Sequence, residues 1–141
     1  MLSLDLLEQA EDFFQASQRV GRQRLYSWPR YFLLSHAIEL GLKAWLCHQE
    51  ESSERLEKVF GHDLAKLLAA VKSRGLKLSK CAIKDIGLLA PIHKEHLSRY
   101  PLRTGQSILP IDRFEGTAIE VLEACCLALR GDPKNRGYVE Y

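Results

Sequence analysis

What this chain lacks narrows the field before anything it contains. No apolar stretch approaches the roughly 18 residues needed to cross a bilayer, so no membrane partner is expected. The opening Met-Leu-Ser-Leu-Asp-Leu-Leu-Glu has neither the basic start nor the unbroken apolar segment of a secretion signal, and a cytoplasmic setting is expected. Only four cysteines occur: Cys47, Cys81, Cys125 and Cys126. None forms a Cys-x-x-Cys pair, and adjacent helical residues such as Cys125 and Cys126 point about 100° apart. They read as small core or near-surface thiols. There is no Gly-rich phosphate loop, no Gly-x-Ser-x-Gly elbow and no Ser-His-Asp arrangement. No cofactor and no metal are therefore expected. A metal site begun by His93 and His96 would need a third ligand such as Glu95 or Asp85, and a histidine pair three apart does not make one.

What is present reads as one helical domain over residues 1–141, with residues 132–141 as a loose tail. Apolar residues make up 46% and charged residues 27%, an ordinary globular balance. Five amphipathic patterns appear and no strand pattern. The first spans about Asp5 to Val20, with Leu6, Ala10, Phe13, Phe14 and Ser17 on its inner face. The second begins at Pro29 and ends near Glu51. Its apolar positions, from Leu33 through Ala37, Leu40 and Ala44 to Leu42, cover an arc of roughly 200°, so it should be buried on two sides. His36, Glu39 and Lys43 remain as a narrow polar stripe, expected to face solvent with a Glu39–Lys43 pair. The third helix runs from His62 to Arg74, with Leu64, Leu67, Leu68 and Val71 inside and Gly75 closing it. The fourth, Ser79 to Arg99, carries Gly87 and Pro91, either of which could bend or split it. The fifth, capped by Asp112, buries Phe114, Ala118, Val121, Leu122, Cys125 and Leu129. The expected fold is an all-α, up-and-down antiparallel bundle of four to five helices.

Charge is unevenly spread although the formal net charge is only +2. Arg19, Arg22, Arg24 and Arg30 are interleaved with Tyr26 and Trp28, the mixture that neutralises phosphates and stacks on bases. The alternative is that these arginines pair with acids on the helices. His93, His96 and Arg99 lie three apart on one helical face. With Tyr100 and Arg103, His96 and Arg99 form the anion-binding candidate, with Arg30 as a further member.

Tyr31-Phe-Leu-Leu-Ser-His-Ala-Ile-Glu-Leu-Gly-Leu-Lys-Ala-Trp-Leu46 resembles the second helix of HEPN (higher eukaryotes and prokaryotes nucleotide-binding) domains. Gly61-His-Asp-Leu with Leu67-Leu68 resembles that family's approach to its third helix, and Arg99-Tyr-Pro101 a common ending of the fourth. The resemblance implies a helical bundle, usually a homodimer, in a prokaryotic defence, toxin–antitoxin or nucleotidyltransferase-associated setting. It implies a possible nucleotidyltransferase partner and a nucleotide or RNA ligand. Many members are metal-independent ribonucleases carrying Arg, four to six residues, then His near the fourth helix. The chemistry is sensible, since a His can move the proton of an attacking 2′-hydroxyl while an Arg steadies the phosphorane.

This chain departs from that pattern, because no histidine follows Arg99 and His93 and His96 precede it. The formal match is Arg55 with His62, six residues between them. His62 beside Asp63 also reads as a polar helix start. The expectation is therefore a non-catalytic module that binds nucleotide, RNA or a protein partner. Two alternatives stand: a metal-independent ribonuclease using His93, His96 and Arg99 or Arg55 and His62, and a purely structural interaction adaptor.

Overall fold

A computed structural model describes residues 2–20, 27–96 and 111–138, without the side chains of residues 95 and 96. Its elements are α1 (Leu2–Ser17), α2 (Trp28–His48), a single turn α3 (Ser53–Arg55) running into a π-helical turn (Leu56–Phe60), α4 (Leu64–Ser73), α5 (Lys80–His96) and α6 (Ile111–Arg130). No strand occurs among the described residues. The helical bundle expected from the sequence is the fold, with α2 at its centre, packed on α1, α6, α4 and α5.

Local chemistry sets the helix starts. Ser27 Oγ accepts the Arg30 N–H at 3.4 Å, with Pro29 in the first turn. Asp63 Oδ1 accepts the Lys66 N–H at 3.1 Å, so α4 begins at Leu64 rather than at His62. Ser79 Oγ accepts the Ala82 N–H and is itself held by Glu120 of α6. Leu64, Leu67, Leu68 and Val71 are the buried stripe of α4, as the periodicity dictates.

Three expectations change. The buried face of α1 keeps the expected Ala10, Phe14 and Ser17 and adds Leu7 and Glu11, the latter turned inward to meet Arg130, while Leu6 and Phe13 pack partly buried at its edge. Pro91 does not split α5, which runs unbroken from Lys80 to His96. Its ring faces solvent, while Ile86, Leu89, Ile92 and His93 hold the other side in place. The segment after α6, expected to hang loose, returns along that helix as far as residue 138, with Lys134 Nζ 2.7 Å from Glu123 and the Arg130 guanidinium donating to the Asn135 carbonyl.

The connection from α2 to α4 is helical. Ser52 caps α3, and the Gly61 N–H closes the wide turn by donating to the Leu56 carbonyl at 3.0 Å. Leu56 and Phe60 are thereby sunk in the core, and the chain leaves the turn with His62 lying over α2. Such turns are rare and often mark functional positions.

Candidate functional site

The polar stripe of α2 is not a solvent face. Glu39 is 2% exposed and forms the centre of an internal cluster drawn from three parts of the chain. Its Oε1 is 2.6 Å from His93 Nε2 of α5 and 3.0 Å from His62 Nδ1, and its Oε2 is 3.1 Å from Lys43 Nζ. His36, one turn before Glu39, completes the group. Its ring centroid lies 4.9 Å from that of His93 and 6.3 Å from that of His62, and it is flanked by Phe32 at 4.4 Å and Phe13 at 5.3 Å.

Burial by itself would raise the Glu39 carboxyl. The hydrogen bond from His93, the charge of Lys43 and the contact with His62 outweigh it and hold the group down at about 2. His36 moves down to about 4, first because burial disfavours its charged form and then because His93 lies beside it, with Glu39 opposing. At neutral pH the cluster therefore contains a carboxylate and a neutral His36 imidazole. His36 Nε2 is buried with no hydrogen-bond partner.

Each side chain has a different relation to solvent. His93 is fully buried, with its Nδ1 2.8 Å from Ser35 Oγ and its Nε2 on Glu39, so both ring nitrogens are engaged. His62 is half-exposed and stands at the mouth. Beside it, a groove of about 210 Å³ runs between α1, α2 and the π turn, walled by Leu2, Leu6, Leu40 and Leu56, with Lys43 and His62 along it.

The other sequence candidates are dispersed. Arg55 does not join His62: its guanidinium pairs with Glu51, which also takes Arg74, while His62 goes to Glu39. Arg30, expected as an anion-binding group, turns inward. It is 2% exposed, donates to the Ser17 carbonyl and pairs with Glu115 at 3.0 Å. Asp85, considered as a ligand with His93 and His96, pairs with Arg113 and Thr117 instead. The side chain of His96 and all of Arg99, Tyr100 and Arg103 lie outside the described residues. Cys125 and Cys126 are buried, and burial pushes both thiols above the ordinary range, which disfavours the thiolate.

Sequence reasoning finds every member of the cluster except Ser35, but assigns them to three separate constellations. The signal for joining them is weak. His36 and Glu39 share a helical face, yet His62 and His93 stand 23 and 54 residues from Glu39 along the chain.

A family model described as the HEPN domain matches residues 3–129 of the chain. No curated protein and no solved structure matches it.

Proposed function

The chain belongs to the HEPN domain family, and from that premise we propose that it is a non-catalytic module that binds nucleotide or single-stranded RNA, acting as a homodimer and paired with a nucleotidyltransferase-type partner. The observation that carries the reading is the commitment of the polar groups. The Arg and His of the formal ribonuclease motif are held by two different carboxylates, Glu51 and Glu39, and His93 is sealed from solvent. The groove at His62 stays open to a ligand, and its apolar walls suit a base or ribose while Lys43 and His62 suit a phosphate. The excess of Lys and Arg over residues 72–103 provides the longer-range attraction for a polyanion.

Titration of the purified protein with labelled single-stranded RNA at low and moderate salt, scoring binding and cleavage together, tests this. The expected result is salt-sensitive binding without cleavage, weakened by His62→Ala. Replacing Arg99 and Arg103 together should flatten the salt dependence by about 0.7 in log–log slope for each phosphate that the pair neutralises. Absence of binding would leave an interaction adaptor.

One observation favours a second reading. His62 is half-exposed with its Nδ1 on a buried carboxylate, which is how an imidazole is held when its other nitrogen acts as a general base. Cleavage that persists in chelator and disappears in His62→Ala or His96→Ala would replace the first reading with a metal-independent ribonuclease.

A further inference from the structure

We propose that His36, Glu39 and His93 form a binding site for a divalent first-row transition metal of the zinc class, built between α2 and α5. One ligand atom from each of the three residues lies within 4.8 Å of the others. His36 and Glu39 are one turn apart on α2 and so share a face, and His93 approaches from the facing helix, the arrangement by which helical bundles hold metals in their cores. Two imidazoles with one carboxylate are a donor set that zinc-class ions favour.

His93 is held from both sides of its ring. Ser35 Oγ lies 2.8 Å from its Nδ1 and Glu39 Oε1 lies 2.6 Å from its Nε2. With a metal ion on Nε2, Nδ1 would carry the proton and donate it to Ser35 Oγ, the outer contact that fixes a metal-ligating histidine in the tautomer it needs.

His36 supplies the second observation, since its Nε2 is buried beside this pair without a hydrogen-bond partner. A metal ion would take a lone pair from His36 Nε2 together with those of Glu39 and His93, displacing the proton that lies between the last two in its absence. Ligand atoms about 2.0–2.1 Å from a tetrahedral ion lie about 3.3 Å apart, so the 2.6 Å contact between Glu39 and His93 has to lengthen on binding. The carboxylate can serve both neighbours, since Oε1 faces the histidines while Lys43 stays on Oε2. The fourth position opens toward His62 and the groove.

The test is a titration of the chelator-treated protein with Co²⁺ and Zn²⁺, followed by visible absorption and calorimetry. The expected result is one equivalent bound at micromolar or tighter affinity, with the intense visible bands of four-coordinate Co²⁺. His36→Gln or His93→Gln should weaken binding at least about 100-fold, and Ser35→Ala, which touches only the outer contact, about 10-fold. His48→Gln and Cys81→Ser, both at exposed positions, should leave affinity unchanged. Should the buried variants fail to fold, histidine imidazole NMR during Zn²⁺ addition to the unaltered chain reads the same point, because the His36 and His93 resonances must shift together. No uptake at about 1 mM metal, or uptake that persists in His36→Gln, would overturn the proposal.

Discussion

Arg130 reaches from α6 to α1 and closes on Glu11 with two hydrogen bonds, at 2.6 and 2.8 Å. The Glu11 side chain is 3% exposed, so this carboxylate has no recourse to water if its partner is removed. The hydrogen bond to Glu11 raises the Arg130 guanidinium above its already high ordinary value, which keeps the charge permanent. Breaking one partner of a buried pair costs about 3–5 kcal/mol, whereas replacing both with apolar groups costs far less. Arg130→Met should therefore lower unfolding stability by about 3–5 kcal/mol, and Glu11→Leu with Arg130→Met together should recover most of it. Urea denaturation of the two variants checks this. A single-variant loss under about 1 kcal/mol would mean that Glu11 finds water in the folded state. The pair is not legible in the sequence. Its members are 119 residues apart, and an acidic residue on an amphipathic helix reads as solvent-facing unless its partner is known. For that reason the expected inner face of α1, which holds at Ala10, Phe14 and Ser17, leaves out Glu11.

At the scale of elements, α2 approaches α6 closely at Gly41. A Cβ there would come 2.8 Å from Val121 Cγ1, and the Cys125 thiol donates to the Gly41 carbonyl at 3.0 Å. Valine in a helix has one strongly preferred rotamer, so the methyl cannot swing aside and the helices must part. Gly41→Ala would gain about 1 kcal/mol of helix propensity but lose about 1–3 to overpacking. A net destabilisation of about 1 kcal/mol is expected, with Val121→Ala relieving part of it, so that the double variant is more stable than the sum of the singles. Glu51 joins other elements: it receives Arg74 from the end of α4 and Arg55 from α3. The hydrogen bond from Arg74, opposed by burial and reinforced by Arg55, holds its carboxyl below the ordinary range. A depressed carboxylate stabilises the fold fully above its unfolded pKa, and that stability is lost as pH falls through the lower folded value. Stability measured from neutral pH downward should thus fall less steeply in Glu51→Gln than in the unaltered chain. An identical acid limb would show that the clamp contributes nothing.

Over the whole molecule, the central place of α2 follows from its own residues. Leu34, Ala37, Ile38, Leu42, Ala44 and Leu46 are fully buried and cover too much of the circumference for one neighbour. That much is legible in the sequence, as is the stripe of α4, because hydrophobic periodicity is a local property. The candidate site is legible only in parts, since its assembly depends on the π turn from Leu56 to Phe60 carrying His62 back onto α2, and nothing in Leu-Glu-Lys-Val-Phe announces a turn of that width. The burial of Glu39 likewise depends on three partners arriving from α2, α4's approach and α5 at once. Because α2 packs on α1, α4, α5 and α6, it cannot open without separating all of them. Native-state hydrogen exchange should show the amides of residues 34–46 exchanging only through global unfolding, with a free energy equal to that from urea denaturation. α5 should open more readily, because Pro91 donates no N–H to the turn before it and faces solvent. Exchange in α2 faster than in α1 or α6 would mean that the buried His–Glu cluster weakens the centre of the bundle instead of fastening it. Addition of Zn²⁺ would then be expected to reverse the order, slowing α2 and α5 together and leaving α1 unchanged.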